Sequence, residues 1–137
     1  YSIPIGRARI RRVGSDVTLV TYGSMVPVAL AASAAVEAEG ISVEVIDLRT
    51  LFPWDRDTVL DSVGKTGRLL ALQEPQGTAG VAAEVSATVA ERAMYSLKSP
   101  IVRVTGFDAP WPQFAIEKHA LIRAERVITG IRRAVAG

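Results

Sequence analysis

The sequence predicts an α/β fold: a mainly parallel sheet between two layers of helices, three αβα layers in all. Runs rich in β-branched residues, "VTLVT", "ISVEVIDL" and "PIVRVTG", together with the apolar run "RLLALQE", alternate with stretches whose apolar spacing is helical. Glycine marks several of the changes, at Gly40 and Gly67, as expected where a helix must stop. The 137 residues contain no long polar spacer, repeat or low-complexity tract, so residues 1–137 read as one domain, long enough to bury roughly two-thirds of its unfolded surface.

Each element follows from local chemistry. A short strand near Ala8 to Arg11 places Arg7, Arg9 and Arg11 on one face, as a solvated edge strand would, or as a docking patch. After a turn at Gly14 comes the strand Val17 to Thr21, then a helix from about Val26 to Glu39 that tolerates Pro27 in its first turn. A strand from Ile41 to Asp47 leads through "RTLFPWD", with Asp55 before a helix from about Arg56 to Lys65 that turns Val59, Leu60 and Val63 inward. The strand "RLLALQE" stops at the loop "PQGTAG", and a helix from about Val81 to Tyr95 carries Val85, Val89 and Met94 inward. "PIVRVTG" is the fourth core strand, "FDAPWPQF" a stiff aromatic loop, and a helix from about Arg123 to Val135 closes the chain.

Composition narrows the chemistry. With no cysteine there is no disulfide or thiolate, and the single histidine, His119, cannot build an imidazole metal site and reads as a surface residue. No apolar run approaches the ~20 residues of a bilayer span, so the expectation is a soluble protein without membrane contact. The opening "YSIPIGRARIRR" lacks the apolar core of an export signal and, without Met, reads as an excised fragment. A net charge of +2 is too balanced to suggest a nucleic-acid surface.

Candidate functional residues gather after the strands. Gly23 and Ser24, in "LVTYGSMVPVALAA", sit where a strand meets a helix, so the turn either holds an anion or only reverses the chain, with Ser24 capping the helix. "YGSM" lacks the second glycine of a G-x-S-x-G elbow, and "GTAGVAAE" has neither G-x-G-x-x-G nor a Walker lysine. Asp47, Glu74 and Asp108 end or follow predicted strands. Together they could bind a cation, steer a basic partner or cap helix amides. Ser24, Asp47, Glu74 and Gly106 are expected at one edge of the sheet.

Four segments, "IPIGRARIRRVGSDVTLVTYGSMV", "GISVEVIDLRTLFPWD", "KTGRLLALQE" and "SPIVRVTGFDAPWP", have an order and spacing that resemble the C-terminal domain of the beta subunit of thiamine diphosphate-dependent 2-oxo acid dehydrogenases. The resemblance covers nearly the whole chain and implies the transketolase C-terminal fold. It further implies a heterotetramer of alpha subunits with a second beta subunit, docked on a lipoyl acyltransferase core, in bacterial cytoplasm or the mitochondrial matrix. Thiamine diphosphate and magnesium would belong to the whole enzyme, since the sequence has no Gly-Asp-Gly run with a following Asn, and no catalytic, cofactor or metal residue is assigned here. Subunit or partner contact would fall to Tyr22, Met25, Glu74 and Asp108. The chain departs from the family at Gln73, where His is usual, at Gly77 to Gly80, where Arg-Thr-Gly-Gly is usual, and at Leu121-Ile122, where Leu-Pro is common. Two alternatives are the related domain of 1-deoxyxylulose-5-phosphate synthase, against which "GFDAPWP" speaks, and a stand-alone anion-binding α/β module.

Overall fold

The computed structural model describes residues 1–137. Five strands form one sheet: β1 (Arg9–Arg12), β2 (Val17–Thr21), β3 (Val43–Asp47), β4 (Leu69–Gln76) and β5 (Val102–Gly106), in the order β1-β3-β2-β4-β5. Four run parallel, and β1 pairs antiparallel with β3 at one edge. Five helices complete the chain: α1 (Met25–Glu37), α2 (Arg56–Thr66), α3 (Val81–Ala93), the single turn α4 (Glu117–Ala120) and α5 (Ala124–Ala136). This is the expected three-layer α/β arrangement; α4 had no counterpart in the sequence reading. No helix is long and apolar enough to cross a membrane.

Alternation along each strand divides the core. Leu19, Val43, Val45, Leu70, Leu72 and Val104 face α1 and α5, while Val20, Ile46 and Leu69 face α2 and α3. α1 presents Met25, Ala29, Ala32 and Val36 at alternating spacings of four and three, one apolar stripe against the sheet. Gly130 lets α5 lie close, because a Cβ there would come within 2.7 Å of Val104. Gly14 does the same for the turn into β2, where a Cβ would sit 2.2 Å from the Val43 carbonyl carbon.

The layer between β2 and α2 is partly polar, and its polar groups are paired. Thr18 Oγ1 lies 2.7 Å from both Ser62 Oγ and Thr66 Oγ1, so three buried hydroxyls satisfy one another. Glu44, 1% exposed, accepts from the Gly14 N–H and from Lys65. Burial pushes its carboxyl upward, but the bonds from Lys65, Ser62 and Gly14 outweigh this and hold it below the ordinary glutamate range.

The first residues are tied down rather than loose. Gly6 N–H donates to Thr50 Oγ1, and Ala8 N–H donates to Asp55 Oδ2 at 2.9 Å. Asp55 is also the N-cap of α2, accepting from Thr58 N–H and Thr58 Oγ1. Arg9 and Arg11 are exposed on the edge strand, and Arg11 reaches Asp47 at 3.7 Å. β1 carries a bulge between Ile10 and Arg12. At the opposite edge the Arg126 guanidinium donates to the Thr105 carbonyl of β5.

One packing expectation fails. Met94 is 58% exposed rather than inward, because α3 ends at Ala93 and the chain tightens into a 3₁₀ turn over Met94–Ser96, which turns the side chain off the helix's buried face.

Asp55 gives a test of this frame. Burial raises its pKa, but the hydrogen bonds from Ala8 and Thr58 lower it further, so the folded state holds the carboxyl below its usual range. A depressed carboxylate contributes stability above its unfolded pKa of about 3.9, and that contribution is lost as pH falls through the folded value. Asp55→Ala is expected to cost about 1–3 kcal/mol at neutral pH. In urea titrations the gap from the parent chain should narrow below about pH 4.

Candidate functional site at the carboxyl edge of the sheet

In this strand order the connections leave β2 and β4 toward opposite faces, α1 on one side and α3 on the other. The crevice between the carboxyl ends of β2 and β4 is thus the topological switch point, where open α/β sheets bind ligands. Ser24 and Glu74 meet there, and register places Asp47 beside Thr21 and Gly106 beside Gln76, so all four expected residues share one edge.

The crevice is filled by the chain's own side chains. Ser24 Oγ donates to Glu74 Oε2 at 2.6 Å, which brings a carboxylate to the start of α1, where an anion would otherwise sit. Ser24 does not cap the helix as the sequence suggested. Its backbone is already helical, at φ −61° and ψ −19°, so the hydroxyl turns across to β4 instead of back onto the first-turn amides. Half-buried Tyr22 lies nearby, its phenol pKa raised by burial and by the Glu74 charge. Gly23, at φ +60°, takes the left-handed bend that ends β2.

Gln73 fills the α3 side. Its side chain is fully buried; Oε1 accepts from Ala82 N–H at 2.6 Å, and Nε2 donates to the Gln76 carbonyl. The amide thus caps α3 and fixes the loop that precedes it. Gly80 makes this possible, since a Cβ there would lie 2.1 Å from Gln73 Nε2. Gln73 and Gly80 therefore work as a matched pair, of which only Gln73 departs from the usual family residue. Sequence reading missed this pair; the signal was a polar residue closing the apolar run "LLALQ" ahead of a helix with no capping side chain of its own.

The other acids are used locally. Asp108 accepts from Thr78 N–H at 3.1 Å and from Thr78 Oγ1, and these bonds hold its carboxyl below the usual range. Arg103 secures the same loop through the Gly77 carbonyl. Asp47 accepts from Arg49 N–H and pairs with Arg11. No three acidic, histidine or cysteine side chains converge as a metal site. Asp47 and Asp108 thus each accept loop or turn hydrogen bonds.

Met25 is placed differently from the expectation that it packs against a neighbouring subunit. It is 5% exposed and lies in the chain's own core, with Ala29 and Leu72. The first turn of α1 faces the sheet, so its first apolar side chain is spent internally.

Beside the crevice, the loop after β5 forms a groove of about 370 Å³, walled by Phe107, Pro110, Trp111, Ile116 and His119, with Glu74 at its rim. Phe107 and Trp111 are 63% and 52% exposed, and Phe114 beyond them 93%. His119 is exposed, as expected. Arg126, in the first turn of α5, lies over the Phe107 ring at 5.1 Å and so braces the loop.

The domain thus combines a self-filled switch point with an exposed apolar rim. The model of the family "Transketolase, C-terminal domain" matches residues 6–127, and the chain belongs to that family. Its relatives include the pyruvate dehydrogenase E1 component subunit beta of Leifsonia xyli subsp. xyli, 46% identical over 98% of this chain and 40% of the relative. Another is the mitochondrial 2-oxoisovalerate dehydrogenase subunit beta of Dictyostelium discoideum, 50% identical over 82% of this chain and 30% of the relative. Among solved structures, a split-gene transketolase described as an inactive beta4 tetramer superposes with a TM-score of 0.86, at 28% identity over 99% of this chain and 43% of that one. The chain thus spans about two-fifths or less of the curated relatives' length.

Two substitutions test the site. Gly80→Ala is expected to cost about 1–3 kcal/mol by displacing the buried amide, and in a Gln73→Ala background distinctly less, a coupling that denaturant melts of the double-mutant cycle would measure. Met25→Glu is expected to lower stability by more than about 3 kcal/mol, seen as a collapse of the thermal transition, because it places a charge in the core.

Proposed function

We propose that this chain is the C-terminal part of the beta subunit of a thiamine diphosphate-dependent 2-oxo acid dehydrogenase, and that its task is subunit assembly. The observation that carries this reading is the pairing of a self-filled crevice with an exposed apolar rim. Where a free-standing α/β enzyme would admit substrate, Ser24 bonds Glu74 and the Gln73 amide caps the start of α3. Where such an enzyme would be polar, Phe107, Trp111 and Phe114 face outward, as residues awaiting a partner do.

In the whole enzyme, thiamine diphosphate held with magnesium supplies the carbanion chemistry of decarboxylation. The residues of this edge do not fit that group, since a carboxylate stands at the α1 terminus and no acids converge on a metal position. The partners are an alpha subunit and a second beta subunit in a heterotetramer, with a lipoyl acyltransferase core beyond. Relatives named for pyruvate and for 2-oxoisovalerate support a 2-oxo acid as the substrate of the assembly. Bacterial and mitochondrial relatives support the bacterial cytoplasm or the mitochondrial matrix as its place. Tyr22, Glu74 and Asp108 remain the proposed contact residues; Met25 leaves that set because its side chain is buried in the core.

Two measurements test this reading. Calorimetric titration of the chain with thiamine diphosphate and magnesium is expected to show no binding, and micromolar affinity would overturn the assembly role. In a beta subunit carrying this domain, Phe114→Ser should leave the domain's melting temperature unchanged while lowering recovery of the alpha–beta assembly in size-exclusion chromatography several-fold. Recovery equal to the parent would count equally against it.

A further inference from the structure

We propose that the hollow between α4 and the first turn of α5 binds a phosphate group, as the free ion or as a small phosphate monoester. This goes beyond the assembly reading and does not depend on it. The hollow holds about 470 Å³, and Lys118, His119, Arg123 and Arg126 stand on its walls. Glu125 is its single acid, in the first turn of α5, where the helix dipole already favours a negative charge. The ion pairs of the chain engage Arg11, Arg12, Lys65 and Arg132, so Lys118, Arg123 and Arg126 keep their charge uncompensated and Glu125 pairs with none of them. A second groove along α5 shares Glu125 and Arg126 as walls and adds Arg103 and Arg133. In a chain whose formal net charge is only +2, positive charge is thus concentrated on this one face.

The donors select the occupant. Arg126 is fixed in advance: Nη2 donates to the Thr105 carbonyl, the guanidinium lies 5.1 Å over the Phe107 ring, and Nη1 is enclosed without an acceptor. Its charge stays in place whether or not a ligand is bound. Lys118 and Arg123 are exposed on the same walls and free to turn their donors toward an anion between them. A carboxylate has one charge and two oxygens, enough for one guanidinium fork, whereas a phosphate group carries nearly two charges near neutral pH and three free oxygens for a fork and an ammonium together. The dianion therefore suits this set of cations better. An apolar ligand finds little here, since Leu121 is the one hydrophobic wall. The volume falls within the roughly 300–1,000 Å³ of small-ligand sites, which leaves room for a body attached to the phosphate.

His119 supplies the readout, because it is the single histidine of the chain and lines the hollow. Sodium phosphate is titrated into the 137-residue chain at about pH 8, where phosphate is mostly dianionic, with sodium acetate holding the ionic strength constant, and the imidazole signals are followed by NMR. They are expected to shift and saturate in the millimolar range or below. Lys118→Gln and Arg123→Gln should each weaken binding several-fold, and the pair together at least about tenfold, with the thermal transition unchanged because both side chains are exposed. Arg92→Gln, which removes the same charge from an exposed position on α3, should leave binding as it is. Glycerol phosphate separates the two sources: tighter binding than phosphate assigns the hollow to a monoester, and equal or weaker binding to the inorganic ion. A shift that stays linear with phosphate concentration would overturn the proposal, as would saturation that survives the double substitution or is lost equally with Arg92→Gln. Tighter binding of the peptide acetyl-Asp-Glu-Asp-amide than of either phosphate would overturn it too, making the hollow a contact for an acidic segment of another protein.

Discussion

The buried amide of Gln73 is the constraint on which the carboxyl edge depends. β4 carries the polar side chain of Gln73 in a space that excludes water, so both ends of that amide must find partners inside the chain. They find Ala82 N–H and the Gln76 carbonyl, and in doing so they set the start of α3 and the path of residues 74–80. From that path follow the reach of Glu74 to Ser24, the approach of Thr78 to Asp108, and the shape of the groove beside them. Gly80 is the concession the backbone makes, a position where no side chain can stand.

Much of the frame was legible because it follows from local chemistry. β-branched runs gave β2, β3 and β5, the leucine-rich run "RLLALQE" gave β4, Asp55 announced α2, and Gly67 closed it with a left-handed residue at φ +73°. The convergence of Ser24, Asp47, Glu74 and Gly106 on one edge followed from a parallel sheet alone. What escaped was the choice each polar side chain makes among partners that become neighbours only on folding. Ser24 looks like a cap in isolation, yet Glu74, fifty positions away, competes for its hydroxyl and wins. Met25, beside the turn, reads as a residue of subunit contact until the spacing of Ala29, Ala32 and Val36 is seen to include it in the buried stripe. Met94 shows the reverse, an apolar residue left outside when the helix changes pitch.

The buried acids divide into two kinds, and the difference explains why this domain can be stable while displaying an apolar rim. Glu44 and Asp55 are enclosed and fully paired, tying α2 to the turn before β2 and to the first residues of the chain. Glu74 is half-exposed and half-paired. These two acids fasten α2 at both ends, Glu44 toward the amino edge of the sheet and Asp55 toward the carboxyl edge, and the surface left unsatisfied lies around Glu74.

The two margins of the sheet have a consequence for how this domain meets its neighbours. On one side a bulge and a row of arginines interrupt β1, and on the other the Arg126 guanidinium occupies the Thr105 carbonyl of β5. Neither margin offers a continuous ladder of free backbone groups, so the sheet resists lengthening by strands from other molecules. Contacts at these margins are thereby confined to side chains, which can discriminate among neighbours, and the indiscriminate adhesion of backbone to backbone, the route to fibrous aggregates, is hindered.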